Sequence, residues 1–192
     1  MSRIGPLDPA TMDEPLRNEY DSLVRWRGGT PPANGMFGGP FDSWLRSPQL
    51  CHKMREFGGM LWNDTSLDRG IVELSISVAA WFWQSNVEWS HAATAIKFGI
   101  EPAVLDAVAA GRRPDSPRED VLLAFDLSLA FLQGKALSES LFTRATGLFG
   151  ERGLVEIAEI VGFYTAVAFT IRAFDIEPGG DAPRRFARPA EA

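Results

Sequence analysis

Apolar residues recur at intervals of three and four along most of this chain, which is the spacing of amphipathic helices. The run Leu16, Tyr20 and Leu23 is typical, and Asp13 before it is a suitable N-cap. Ser-Pro at 47–48 starts a second helix, since proline favours the first helical position. The predicted helices cover approximately 13–27, 47–62, 67–83, 86–98, 100–111, 117–133, 138–149 and 151–176. The chain is therefore predicted to be all-α, a bundle of about seven or eight helices.

The stretch from Arg69 to Gly111 combines apolar patterning with ionisable groups more strongly than any other part of the chain. Its first part is apolar on nearly every face, which predicts a central, buried helix that Ser66 would cap. The β-branched residues there would also suit a strand, but the length of the run and its lack of alternation favour a helix.

Breaker residues divide the chain into three predicted regions. Residues 1–40 form an N-terminal arm and a short helix that pack on the body, and they end in the loop GGTPPANGMFGGP at 28–40. Residues 41–176 form the helical domain. Residues 177–192 are rich in Pro, Gly, Ala and Arg, and we expect a flexible tail unless it docks on a partner subunit.

Composition and charge exclude several classes of function. The 192 residues include 45% hydrophobic and 23% charged residues, with a formal net charge of −6, which gives no footprint for nucleic acid or an anionic membrane. The single cysteine, Cys51, excludes an internal disulfide and a CxxC pair. The N-terminus has no signal-peptide pattern, and no apolar run approaches the ~20 residues of a membrane helix, so we expect a cytoplasmic protein.

Three ionisable residues of the central stretch form a candidate proton-transfer site. Glu88 and His91 are three residues apart, so on one helix they would share a face. Glu73 lies on the preceding helix and would reach His91 if the two helices form an antiparallel pair. A carboxyl group in such apolar surroundings is costly to bury unless it is paired or protonated. Tryptophans surround these residues in sequence, at 81, 83 and 89.

Simpler interpretations of the same residues stay open. Glu-x-x-His on a helix is often a solvated pair, Glu73 would face solvent in another helix register, and tryptophans are usually core residues. Bundle metal sites repeat Glu-x-x-His on a second helix, and this chain has no second copy, so we expect no metal. His52 is expected to be structural. Cys51 is a weak candidate nucleophile, because its neighbour His52 would not face it on a helix.

Several motifs in the central stretch resemble the carboxymuconolactone decarboxylase family, part of the alkyl hydroperoxidase D-like superfamily. In chain order they are S-P-Q-L at 47–50, R-x-x-x-E-L at 69–74, V-E-W-S-H at 87–91, A-x-x-x-G-I at 95–100 and A-A-G at 109–111. The peroxidase branch carries CxxC ahead of the histidine, whereas Gln84 and Val87 occupy those positions here. The resemblance is therefore to the branch that lacks the thiol pair.

The resemblance implies a helical fold in trimers or hexamers, no cofactor, and a Glu/His site for a small carboxylated lactone or an intermediate of aromatic degradation. His91, Glu88 and Glu73 are the expected catalytic residues. The hypothesis is a carboxy-lyase in which His91, held by Glu88, delivers a proton to carbon after CO₂ is lost. The remaining candidates bind the substrate carboxylate or exclude water; they are Arg69, Arg46, Trp81 and Trp89.

Two other functions remain as alternatives. The first is a non-catalytic member that keeps the fold, and the second is a thiol-dependent antioxidant that uses Cys51.

Overall fold

The computed structural model describes residues 2–179 and 184–187, and this part of the chain is helical with no strand. The α-helices are α1 Glu14–Trp26, α2 Phe41–Trp44, α3 Pro48–Asn63, α4 Arg69–Phe82, α5 His91–Lys97, α6 Pro102–Ala109, α7 Glu119–Leu132 and α8 Glu139–Ala173. Short 3₁₀ turns cover Pro9–Thr11 and Glu88–Ser90. The predicted all-α class and the number of helices are confirmed.

Helix α4 is the centre of the fold, and α5, α7 and α8 pack around it. Every residue of α4 from Gly70 to Ala80 is buried, as its apolar sequence predicts. Gly70 permits the close approach of α5, because a Cβ at this position would lie 2.6 Å from the carbonyl oxygen of Phe98. The start of α4 thereby lies close against the end of α5.

The two helices predicted at 138–149 and 151–176 form one continuous helix, α8, which has a kink at Gly150. This glycine has φ 69° and ψ 171°, a conformation that L-residues with a side chain rarely adopt. Within the described residues, α8 is the one helix long and apolar enough by composition to cross a membrane. Core helices pass the same test, and α8 contributes buried residues to the core, among them Ile157, Ile160 and Val167.

The N-terminal region packs on the helical body. Tyr20 and Leu23 of α1 share one core cluster with Ile160 of α8. The 28–40 loop is attached to α2 by the Asp42 carboxylate, which accepts hydrogen bonds from two backbone N–H groups of the loop at 3.0 and 2.8 Å. Asp13 caps α1 as predicted, since its carboxylate accepts from the Leu16 N–H at 3.0 Å.

The predicted cap of α4 is wrong. Asp68, not Ser66, is the N-cap residue. The N–H and the hydroxyl of Ser66 both donate to Glu156 Oε2, at 2.8 and 2.6 Å. Ser66 therefore ties the loop before α4 to α8, an interaction between distant residues that local sequence rules do not address.

The predicted flexible tail is partly wrong. Residues 184–187, which we name the C-terminal strap, dock on the chain itself. Phe186 is 7% exposed and packs edge-on against Trp89, with ring centroids 5.1 Å apart. Predictions for residues 180–183 and 188–192 fall outside the described residues.

Candidate active site

Glu73 is the centre of the candidate site. Its side chain is fully buried in α4, and hydrogen-bond donors or cations from three elements converge on it. Trp62 Nε1 at the end of α3 donates to Oε1 at 2.9 Å, and His91 Nδ1 at the start of α5 lies 2.6 Å from Oε2. Arg69, one turn earlier on α4, places Nη2 2.6 Å from Oε1. The predicted approach of Glu73 to His91 across two helices is therefore confirmed, and the outward-facing alternative is wrong.

The Glu73 contact fixes the orientation of the His91 ring. The Glu73 carboxyl group accepts from Trp62 and pairs with Arg69, so we assign His91 Nδ1 as the N–H donor in the short contact with Oε2. Nε2 is then the ring nitrogen left for proton transfer to or from a substrate. The His91 side chain keeps 23% exposure, and Tyr164 of α8 stands edge-on to it at a centroid distance of 5.2 Å.

Arg69 supplies a positive charge beside this pair. Its guanidinium lies over the Trp62 ring, 3.5 Å from the centroid, and donates from Nη1 to the Trp62 carbonyl oxygen. Nη2 forms an ion pair with Glu73 Oε1 at 2.6 Å, and among the described residues the buried Nε has no hydrogen-bond acceptor. Burial lowers the pKa of Arg69, while the charge of Glu73 raises it. Buried donors without acceptors suit the binding of an anion.

Glu88 is a second buried carboxyl, separate from the Glu73–His91 pair. It lies on the 3₁₀ turn before α5, is 4% exposed, and accepts a hydrogen bond from the Ser85 hydroxyl. Burial raises the pKa of Glu88, opposed by the Ser85 bond and the charge of His91. The expectation that Glu88 holds the His91 ring is wrong, because His91 Nδ1 contacts Glu73 and the side-chain hydrogen bond of Glu88 is to Ser85.

The remaining predicted binding residues lie elsewhere. Arg46 is exposed and donates to the carbonyl oxygens of Asp42 and Gly5, both at 2.6 Å, so it anchors the N-terminal arm. Trp81 packs in the cluster formed by α4 to α7, beside Gly111. Trp89 packs against the C-terminal strap. Each of these side chains has a structural contact of its own, so their placement as substrate-binding residues is not supported.

Two residues of the site were missed by sequence reasoning. Trp62 was assigned only as a helix end, although its position seven residues before Arg69 puts it at the turn leading into α4. Tyr164 was assigned only as an apolar position of the last helix. Burial, and then the charges of Glu73 and Glu88, raise the pKa of Tyr164 well above its ordinary value, so it stays a neutral hydroxyl. A tyrosine in an otherwise apolar stripe was the available signal.

Cys51 lies away from this site and is not prepared for thiol chemistry. It is fully buried in the first turn of α3. Burial, and then the nearby charge of Glu19, raise the pKa of Cys51 to about 12. A thiol with this pKa is almost entirely protonated at neutral pH and is a poor nucleophile.

Comparison with known proteins identifies the fold. No protein-family model matches the chain, and no curated protein is significantly similar to it in sequence. A solved structure described as the alkylhydroperoxidase AhpD core, an uncharacterized peroxidase-related protein from Ralstonia eutropha JMP134, superposes with a TM-score of 0.71. The two share 18% identity over 93% of this chain and 92% of that chain. This chain therefore has the alkylhydroperoxidase AhpD core fold.

Proposed function

We propose that this protein is a cofactor-independent acid–base enzyme of the alkyl hydroperoxidase D-like superfamily. Its substrate would be a small carboxylated lactone or a related ring compound, as in the carboxymuconolactone decarboxylases that its motifs resemble. The observation that carries the proposal is the 2.6 Å contact between His91 Nδ1 and the fully buried Glu73. A histidine oriented by a buried carboxylate is a common arrangement for a general acid or base.

The charge distribution supports a carboxylated substrate. Arg69 Nε is a buried N–H donor without an acceptor among the described residues, and a carboxylate matches a guanidinium in shape and charge. Trp62 and Phe98 are 45% and 48% exposed, and the Arg69 guanidinium lies near both rings. A planar ring that packs against these aromatic residues would place its acid group beside Arg69.

In the decarboxylase version, the bond between the ring carbon and its carboxylate breaks and CO₂ leaves. The electron pair stays on the ring as a dienolate, and protonated His91 then delivers its Nε2 proton to carbon. The next substrate or water returns a proton to His91. Glu73 stabilises the imidazolium form of His91 before the transfer, and the neutral hydroxyl of Tyr164 is available as a hydrogen-bond donor near the ring.

Thiol-dependent peroxide reduction is the second candidate, because the solved structure with this fold is described as peroxidase-related. The buried, protonated Cys51 disfavours it. A non-catalytic role is disfavoured by the cost of keeping Glu73 buried beside Arg69 and His91, since apolar residues of similar volume are often as stable. The predicted trimer or hexamer, the cytoplasmic location and the absence of a metal all stay predictions.

The test is a substrate screen that follows ultraviolet absorbance, CO₂ release and product mass. Purified protein would be incubated with carboxymuconolactone and related lactones and hydroxy-aromatic acids. We expect His91→Ala to lower turnover by about 10²- to 10⁴-fold, the usual contribution of a general acid or base. His52→Ala is the matched control, because it removes the other histidine of the chain from an exposed position on α3.

Equal turnover by wild type and His91→Ala would overturn the assignment of His91. Peroxide consumption that disappears in Cys51→Ser would establish the thiol alternative instead. If wild type transforms none of these compounds, the proposed substrate class is wrong.

A further inference from the structure

The side-chain amide of Asn86 binds the backbone of the C-terminal strap through both its oxygen and its nitrogen. Asn86 Oδ1 accepts hydrogen bonds from the N–H groups of Arg185 and Phe186, at 2.7 and 2.9 Å. Asn86 Nδ2 donates to the Phe186 carbonyl oxygen at 3.0 Å. An amide that satisfies two donors and one acceptor of the same segment holds that segment in a single register.

Side-chain contacts on either side of Asn86 complete the docking. Phe186 inserts against Trp89 and is 7% exposed, whereas Arg185 makes an exposed ion pair with Asp106 of α6 at 3.3 Å. Burial of an aromatic ring contributes far more to such docking than an exposed ion pair. Phe186 is therefore the anchor of the C-terminal strap.

The segment to which the strap binds is the turn that carries Glu88 and leads into His91. Asn86 lies two residues before Glu88, and Trp89 follows it directly. The 3₁₀ turn of three residues has no side-chain cap, and one of its backbone bonds, from the Ser90 N–H to the Val87 carbonyl, is 3.4 Å long. The turn is also closed by bonds from the Trp89 N–H to the Ser85 carbonyl at 3.0 Å and from the Ser90 hydroxyl to the Val87 carbonyl at 2.8 Å, and the strap adds contacts from outside it at Asn86 and Trp89.

We propose that the C-terminal strap is a positioning element of the active site, in which Asn86 and Phe186 hold the 85–90 turn so that Glu88 stays out of water and His91 meets Glu73. This inference deepens the proposed function and rests on it for its catalytic consequence. Loss of the strap would free both flanks of Glu88 and admit water to the turn. The raised pKa of Glu88, which burial causes, would then fall toward its ordinary value.

The decisive experiment compares two truncations of the full chain. One ends at Pro183 and lacks the strap, and the matched control ends at Ala187 and keeps it. The protonation of Glu88 would be followed by infrared spectroscopy of the carboxyl band across pH, with the Glu88→Gln version of each protein as the spectral reference. We expect the midpoint to move to lower pH in the shorter protein and to stay unchanged in the control.

Milder variants keep the test valid if the shorter truncation unfolds. Asn86→Ala and Phe186→Ala should each lower the midpoint pH of Glu88 protonation. Phe186→Leu should lower this midpoint much less than Phe186→Ala does, and Arg185→Ala should leave it unchanged. With a substrate in hand, Asn86→Ala should reduce kcat on the order of 10- to 100-fold, as small misplacements of catalytic groups do. Circular dichroism would show that each variant is folded.

An unchanged Glu88 midpoint in the folded truncation, or in both Asn86→Ala and Phe186→Ala, would overturn the positioning role. This titration needs no substrate. Failure to find turnover in wild type would therefore count against the proposed function and leave the test of the strap intact.

Discussion

Two clusters in this molecule have the same composition and different chemistry. Glu73 is surrounded by Arg69, His91 and Trp62 between α3, α4 and α5. Between α1 and α3, Glu19 is surrounded by Arg55 and His52, with Trp26 beside the arginine; its contacts are 3.0 Å to Arg55 Nε and 3.3 Å to His52 Nδ1. Each cluster is a buried glutamate with one arginine, one histidine and one tryptophan.

The two histidines differ in what their second ring nitrogen contacts. His52 Nε2 lies 3.1 Å from the Glu56 carboxylate, so both of its nitrogens face carboxylates, and the side chain is 46% exposed. His91 is bound through Nδ1 to Glu73 and is 23% exposed beside Tyr164. A ring between two carboxylates is a structural link, whereas a ring held at one nitrogen can use the other as a base. Composition alone therefore does not distinguish a catalytic cluster from a joint between helices.

Replacing each of the two glutamates by glutamine should produce the largest difference between the clusters. In Glu73→Gln, one amide must face Trp62, His91 and Arg69, which are all donors, and Arg69 loses its counter-charge. Breaking a buried ion pair in this way typically costs about 3–5 kcal/mol of the free energy of unfolding. Turnover should fall about 10²- to 10⁴-fold, because the orientation and basicity of His91 depend on the carboxylate.

Glu19→Gln is the matched control for this prediction. It should also lower the free energy of unfolding, since the Arg55 side chain is 10% exposed and loses its carboxylate, but turnover per folded molecule should be unchanged. Urea unfolding and steady-state kinetics measure the two effects separately. Equal losses of turnover in both variants would contradict the functional difference between the clusters.

Sequence reasoning succeeded where the relevant pattern was local. The burial of α4, the cap at Asp13 and the break at 84–86 all follow from residue order within one or two turns. The Glu73–His91 contact was also predicted, because two consecutive helices with a short connection pack side by side.

The errors concern interactions between distant parts of the chain. Glu88 was expected to hold His91 because the two residues are three apart, but His91 Nδ1 contacts Glu73, 18 residues earlier in the chain, and Glu88 accepts from the Ser85 hydroxyl. Arg46 bonds to Gly5, and Trp89 packs on Phe186, 97 residues further along the chain (186 − 89). No local signal in a single sequence reports partners at such a separation.

Replacing Glu88 should change the free energy of unfolding by an intermediate amount that depends on pH. The pKa of Glu88 is raised in the folded protein, so between the unfolded and folded pKa values the native state binds more protons than the unfolded chain. Its favourable contribution to stability is complete below the unfolded pKa and is lost as pH rises through the folded pKa. Above the folded pKa the ionised carboxylate is buried at a cost in free energy. Glutamine does not ionise, so Glu88→Gln removes this cost.

We therefore expect Glu88→Gln to unfold like wild type at low pH and to be more stable above the folded pKa. The gain should be about 1–3 kcal/mol, the cost of burying a poorly paired polar group. Urea denaturation of both proteins at a series of pH values measures the difference. A difference that is constant with pH would show that Glu88 does not titrate between the two states in this way.

The smallest expected effect distinguishes the two tryptophans. Trp62→Phe keeps a ring beneath Arg69 and removes only the Nε1–H donor to Glu73, a hydrogen bond of 2.9 Å to a charged acceptor. Such bonds contribute about 1.5–3 kcal/mol, and the lower end applies because Trp62 is 45% exposed. Turnover should change several-fold at most, since His91 and Arg69 still contact Glu73.

Trp26→Phe is the matched control, because Trp26 is 53% exposed and lies 5.9 Å from the Arg55 guanidinium. Its unfolding free energy should change by less than about 0.5 kcal/mol, as is usual for surface substitutions. Equal destabilisation by the two changes would mean that the Trp62 hydrogen bond does not help to fix Glu73, and that Arg69 and His91 hold this carboxylate without it.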